Sequence, residues 1–169
     1  MEDKIRFIKL KKQDLIKILK IRNQKNVRKN MFNKKIISLN EHLNWYKNIK
    51  NQKFFHYYVL HVNNKIIGCG YGDRYNKKKN YCYWGLYRDT KIKKNGYGKL
   101  ILRKLLHKLF SLQKIKYVKC QVLKNNIWVK EWYVRNGHQI TKYNKGKNYY
   151  ELILKKKEWL NLNKKNNNN

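Results

Sequence analysis

The chain has no proline, no alanine and only three cysteines, and no stretch of it approaches the roughly 20 consecutive apolar residues needed to span a bilayer. Each shortage removes a class of protein. Without an apolar run of that length, a membrane-spanning helix is excluded. Cys69, Cys82 and Cys120 are odd in number, far apart and outside any CxxC spacing, so a structural zinc site is not expected and a reduced, cytoplasmic setting is. The opening residues carry Glu2 and Asp3 and lack an unbroken apolar core, so they do not read as a signal peptide. Alanine and proline use GC-rich codons, whereas the abundant Lys, Asn and Ile use AT-rich ones. Much of the composition therefore reads as genome bias.

What is present sets the class. The 169 residues suffice for one domain with a sizeable core, and 41% hydrophobic content with fourteen tyrosines and five tryptophans argues against disorder. Forty-three Lys and Arg against nine Asp and Glu give a formal charge of +34, a balance that would suit nucleic acid or an anionic membrane. The lysines are spread along almost every segment, which speaks for a solvated surface more than a focused groove. Neither a membrane nor a specific nucleic acid is expected as partner.

Hydrophobic spacing orders the elements. "IRFIKL" (Ile5 to Leu10) alternates as a strand, and "QDLIKILKIRNQ" follows at helical spacing. Ser38 with Glu41 three residues later forms a capping box ahead of a second helix, on which Leu39, Leu43, Tyr46 and Ile49 share a face. "FFHYYVLHV", "KIIGCGYG" and "YCYWGLY" read as three consecutive strands. A helix carrying Leu100, Ile101, Leu105, Leu109 and Leu112 comes next, then the strand "KYVKCQVL", a helix ended by Gly137, and a hairpin around Lys145 and Gly146. The segment 157–169 reads as a polar tail that frays from about Asn163, leaving one domain over 1–156. The order predicts an α/β (α+β) fold, a mixed central sheet of about seven strands flanked by about four helices. His56 and His61 lie at odd spacing on one strand and make no metal pair; no metal is expected.

"KIKKNGYGKLILRKLLHKLF" (Lys91 to Phe110) spends two of the eight glycines directly before a helix. There, free backbone N–H groups and the positive end of the helix dipole can hold a phosphate, and glycine lets the backbone approach it. A closely packed turn is the competing reading. The spacing is neither a Walker loop nor a dinucleotide fingerprint, since no GK[ST] and no third glycine follow.

A second motif adds to the first. Lys93-Lys94-Asn95-Gly96-Tyr97-Gly98 resembles the Q/R-x-x-G-x-G/A acetyl-CoA loop of the GNAT acetyltransferase superfamily. "NIWVKEWYVRNGH" (Asn126 to His138) resembles that superfamily's N-x-x-A-x-x-x-Y-x-x-x-G-F segment at Asn126, Tyr133 and Gly137. Lys93, Val129 and His138 depart from the pattern. "IRNQKNVRKNMF", "ISLNEHLNW" and "YWGLYRD" resemble the branch of pseudaminic acid biosynthesis that acetylates the 4-amino group of UDP-4-amino-4,6-dideoxy-N-acetyl-β-L-altrosamine.

The resemblance implies the GNAT fold, acetyl-CoA as donor and a nucleotide-sugar acceptor, and it allows a homodimer. It makes Tyr133 the acid that protonates the leaving thiolate. Lys93, Lys94, Asn95, Gly96, Tyr97, Gly98 and Lys99 would hold the cofactor, with Asn126 and the backbone of Leu86 and Tyr87 on its arm. Asn126 could equally be a plain helix cap. Arg22, Met31 and Phe32 would line the acceptor site, with Asp73 and Arg74 as further candidates. Tyr81 to Tyr87 carries no carboxylate to act as base, so His42 is the candidate for proton transfer or for holding the diphosphate. Two other readings stay open: acetylation of a protein N-terminus or polyamine, which the positive charge disfavours, and a nucleic-acid-binding module without catalysis.

Overall fold

The computed structural model describes residues 3–112 and 114–167. Its elements in chain order are β1 (Ile5–Lys9), a single 3-10 turn, α1 (Leu15–Arg22), α2 (Lys25–Arg28), α3 (Leu39–Lys50), β2 (His56–Val62), β3 (Lys65–Asn76), β4 (Tyr81–Arg88), α4 (Tyr97–Ser111), β5 (Tyr117–Leu123), α5 (Ile127–Arg135), β6 (Gln139–Asn144), β7 (Tyr149–Lys155) and α6 (Lys156–Asn167). The strands form one mixed sheet in the order β1-β2-β3-β4-β5-β7-β6. β4 and β5 are its parallel pair, and a parallel neighbour requires a crossover, here the one that contains α4. That pairing covers only Tyr81 to Tyr83 against Tyr117 to Lys119, so Leu86 and Tyr87 lie beyond the β5 ladder.

The chain divides into two compact units, Met1–Asp73 with Gly85–Leu109, and Arg74–Trp84 with Phe110–Asn169. In the first, α1 and α3 cover one side of the sheet, where Leu10, Leu15, Ile18, Val59 and Cys69 are buried. On the other side Leu60, Val62 and Ile67 pack with Tyr97 and Ile101 of α4. Ile101, Leu105 and Leu109 are fully buried, each contributing about 1.5–3 kcal/mol. Alternate residues of β3 admit them: a Cβ on Gly70 would sit 3.0 Å from Ile101, and one on Gly72 would sit 2.6 Å from Leu109. The β2–β3 connection is Asn63-Asn64 with φ of 48° and 65°, as a two-residue hairpin turn with two left-handed positions requires. The Ser38–Glu41 box is present in both directions, at 3.2 Å and 2.7 Å.

In the second unit, Cys82, Trp84, Val118, Cys120, Leu152 and Leu154 are buried. α5 ends in a Schellman turn. Gly137 has φ 86°, its N–H donates to the Val134 carbonyl, and the His138 N–H donates to the Tyr133 carbonyl.

Three expectations need correcting. There are six helices among the described residues where about four were expected, the extra ones being the single turn α2 and α6. The tail does not fray at Asn163, because α6 runs to Asn167. It is held by Trp159, 5.4 Å from the Phe110 ring, and by Leu162, which fills the space a side chain at Gly137 would need. On α3 Leu43 and Tyr46 pack against the core as expected and buried His42 joins them, while Leu39 is 48% exposed. The β6–β7 hairpin lies where expected, and Asn148 is its left-handed residue.

Candidate active site

The glycine loop of the first unit is built to leave donors open. α4 begins at Tyr97, and its first backbone bond runs from the Leu100 N–H to the Gly96 carbonyl at 2.9 Å. The N–H groups of Tyr97, Gly98 and Lys99 therefore precede any acceptor in the helix. Gly96 has φ 89°, a left-handed position that explains its lack of a side chain. Gly98 has no such φ, and a Cβ built on it would meet nothing within 4 Å. Neither backbone nor packing asks for glycine there. An open helix N-terminus with no Cβ over it would fit the acetyl-CoA pyrophosphate. Lys93, Asn95 and Lys99 are exposed. Lys94 is 2.6 Å from Asp3. Tyr97 turns its ring into the core, 8% exposed, so only its backbone faces outward for binding.

Two predicted acceptor-site residues of the same unit hold unspent polar atoms. Arg22 donates through one Nη to the Asn33 carbonyl at 2.8 Å, while its Nη1 is buried with no partner. Burial pulls its guanidinium below the usual range, an effect opposed by Tyr87 and Tyr71 beside it. His42 is 5% exposed and stacks on Trp45 at 5.0 Å, and its Nε2 is likewise buried and unpartnered. Burial lowers its pKa, opposed by a hydrogen bond with the Leu15 backbone, so the ring is neutral at neutral pH. From Trp45 the aromatic contacts continue to Tyr57 at 5.2 Å and on to Tyr71 at 5.0 Å, and the Tyr71 phenol occupies the space over Gly85. Burial holds the Tyr87 phenol well above its ordinary pKa. Met31 is half-buried, and Phe32 is 55% exposed.

Beside α1 lies an open groove of about 760 Å³, lined by Lys20, Lys25, Lys91, Lys93 and by amides including Asn23 and Asn26. One buried clasp fixes its walls. The Gln24 Nε2 donates to Asp89 at 2.7 Å, and the Gln24 Oε1 accepts from the Thr90 N–H at 2.9 Å and from its hydroxyl at 2.7 Å. The Asp89 carboxylate, 3% exposed, also accepts from the Lys91 N–H and from Lys17. These donors hold it below the usual carboxylate range although burial alone would raise it. Sequence reasoning missed Gln24, Thr90 and Lys91. Asp89 stood inside a block that resembled the sugar-nucleotide branch, and that was its only signal.

The second unit contains Tyr133, Asn126 and Arg74. Tyr133 is 6% exposed, with Trp84 at 4.9 Å edge-on and His138 at 5.4 Å. The His138 Nδ1 lies 3.1 Å from the Tyr133 carbonyl, its Nε2 is buried without a partner, and burial pushes its pKa down to about 4. Asn126 occupies the cap position of α5 yet makes no side-chain cap hydrogen bond. Arg74 lies 3.9 Å over the Tyr83 ring and donates to Gln121 at 3.3 Å. Asp73 is half-buried at the end of the first unit's part of β3.

Comparison with known proteins bears on this arrangement. A family model described as the acetyltransferase (GNAT) family matches residues 22–138. The chain is 28% identical over 153 residues to acetyltransferase PseH of Campylobacter jejuni, covering 90% of this chain and 92% of the relative. Its fold is similar to the crystal structure of Campylobacter jejuni N-acetyltransferase PseH, with a TM-score of 0.68 at 23% identity over 90% of this chain and 98% of that one. It is also similar to a spermidine N-acetyltransferase from Vibrio cholerae solved with CoA and spermine, with a TM-score of 0.83 at 14% identity over 92% and 98%.

Proposed function

The chain belongs to the GNAT acetyltransferase family and is an acetyl-CoA-dependent N-acetyltransferase, and from that premise we propose that its acceptor is the 4-amino group of a nucleotide-linked amino-deoxy sugar, UDP-4-amino-4,6-dideoxy-N-acetyl-β-L-altrosamine. The observation that carries the proposal is the Arg22 guanidinium, whose Nη1 is buried without a partner. A buried cation with a spare donor favours an anionic ligand group such as a diphosphate. The likeness to acetyltransferase PseH over nine-tenths of the chain supports the acetyltransferase reading, and the resemblance of the 21–32 and 37–45 blocks to the sugar-nucleotide branch supports the acceptor. Spermidine enzymes share the fold, but a formal charge of +34 on this chain disfavours a polycation as acceptor.

Acetyl-CoA, when bound, supplies an activated acetyl thioester. Its pyrophosphate would rest on the backbone N–H groups of Gly98 and Lys99 with the Lys93 side chain as a further contact, and Asn126 would meet the amide groups of its arm. The His42 Nε2, neutral and with its lone pair unspent, takes a proton from the acceptor amine as the nitrogen bonds to the acetyl carbon. As the C–S bond breaks, the Tyr133 hydroxyl gives a proton to the leaving sulfur. Met31 and Phe32 supply apolar contact to the base or to the 6-deoxy sugar, and Asp73 and Arg74 are secondary contacts. The enzyme works as one acetyltransferase domain in the cytoplasm on small molecules.

A free-thiol release assay tests the reading, with acetyl-CoA against UDP- and dTDP-linked 4-amino-6-deoxy sugars, spermidine and a peptide with a free N-terminus. Turnover confined to the nucleotide-linked amines is expected. Preferred turnover of spermidine would overturn it. Tyr133→Phe is expected to lower kcat at least about 100-fold with acetyl-CoA affinity unchanged, the range for loss of a general acid. Wild-type turnover in that variant removes Tyr133 as the acid.

A further inference from the structure

We infer that the groove between α1 and the Thr90–Lys93 segment is a second phosphate seat, next to the N-terminus of α4 and sharing only Lys93 with it. The inference rests on the proposed reaction only in taking phosphate-bearing substrates as the ligands. Lys20, Lys25, Lys91 and Lys93 line the groove and all four are exposed. Among the described residues none of their ammonium groups is in an ion pair or hydrogen bond. Four acids of the first unit are engaged elsewhere, Asp3 on Lys94, Asp14 beside His61 and on the Lys11 N–H, Glu41 on its capping box, and Asp89 on Lys17, and Asp73, at the end of that unit's part of β3, does not line the groove. Asp89 is the acid nearest in sequence to the lining. Both of its oxygens are taken, and it is buried.

Four like-charged residues lining one groove raise its potential, and a bound polyanion relieves it. At about 760 Å³ the groove is large enough for more than a single inorganic ion, within the usual 300–1,000 Å³ of ligand sites. It is also pre-formed. Gln24 ties the α1–α2 joint to Thr90 and Asp89 through three hydrogen bonds of 2.7–2.9 Å, so its two walls are fixed before a ligand arrives. Asn23 is held as well, exchanging two hydrogen bonds with the Ile37 backbone at 2.8 and 3.0 Å. A phosphate dianion matches this lining of ammonium and amide donors without acids. Two substrates can deliver one: the diphosphate of the nucleotide-linked acceptor, or the 3′-phosphate of the coenzyme.

The test removes charge without disturbing the core. Lys20→Gln, Lys25→Gln and Lys91→Gln are combined in one variant, and Lys47→Gln with Lys50→Gln on α3, outside the groove, serves as the charge control. Dissociation constants are measured for UDP, CoA and 3′-dephospho-CoA at one ionic strength, since exposed charges are screened within about 8 Å at physiological salt. Weakening of UDP by tenfold or more, with CoA unchanged, supports the seat and assigns it to the acceptor. Weakening of CoA to the level of 3′-dephospho-CoA, which itself does not change, supports the seat and assigns it to the coenzyme. In that second case the seat stands even if the UDP-sugar reaction fails in the thiol assay, so the two claims fall separately. No change for any ligand, or equal weakening in the control, overturns the inference.

Discussion

The glycines of β3 and the glycines before α4 are the same residue used for opposite reasons. At Gly68 an added Cβ would run into the Tyr87 carbonyl and lie 2.8 Å from the Arg88 Cα, and Gly70 and Gly72 are filled by α4. The folded chain explains all three. Gly98 is explained by nothing in the chain, since its Cβ would enter open space. A position that the protein's own packing accounts for belongs to stability; one that it leaves unaccounted for is where a ligand should be sought.

The largest break in that comparison is expected at Gly68. Gly68→Val must displace β4 backbone rather than a flexible side-chain tip, which puts the cost at roughly 3–5 kcal/mol. Thermal unfolding should show a collapse in Tm and, with it, loss of every activity. A Tm within a few degrees of wild type would mean that β3 and β4 have more freedom than their contacts imply.

His138 is half explained, with Nδ1 at the Tyr133 carbonyl and Nε2 buried with no partner. Its pKa in the folded protein is depressed to about 4 from an ordinary 6.5, so the unfolded chain binds more protons between those values. Its contribution is full above pH 6.5 and declines as pH falls toward 4. At 1.36 kcal/mol per unit the loss is about 3 kcal/mol. His138→Phe, which restores the residue the GNAT segment usually carries, should remove that part of the pH dependence. Denaturant titrations at pH 4.5 and 7 measure it, and equal slopes in both proteins would show that the imidazole is not the proton-binding group.

These positions also show what the sequence made legible. The Ser38 box and the Gly137 stop are local, with hydrogen-bond partners at most five residues away, and both were readable. The succession of strands along the chain followed from aromatic and β-branched runs. Gln24 and Asp89 are 65 residues apart, and nothing local to either predicts that one amide and one carboxylate will fix the groove. α6 was misread for the same reason: its Trp159 and Leu162 look like isolated apolar residues in a polar segment until Phe110 and Gly137 are brought to them. Tyr97 sits inside the GxG motif, yet its ring belongs to the core, because a motif records which positions matter and not which atoms do.

Gly98→Val sharpens the contrast from the other side. At the second position of α4 a β-branched residue is no worse in helix propensity than the glycine it replaces, and no neighbour stands in its way. Stability should hardly move, while the acetyl-CoA dissociation constant rises about 30-fold, equivalent to about 2 kcal/mol. Unchanged affinity would make Gly98 a neutral choice and withdraw the cradle.

The smallest effect separates the two glycines of the loop from each other. Gly96→Ala meets no atoms but must hold φ at 89°, outside the range an L-residue readily adopts, so a stability loss of about 1 kcal/mol is expected. Gly98→Ala meets neither obstacle and should leave Tm unchanged. Its single methyl then reports only on what approaches the backbone there. A small loss of acetyl-CoA affinity in Gly98→Ala at constant Tm, set beside a loss of Tm in Gly96→Ala, would divide the motif into one glycine that shapes the loop and one that admits the phosphate. If both variants lost stability equally and neither lost affinity, the two glycines would serve the turn alone, and the distinction drawn from β3 would fail at the place where it was meant to identify a binding site.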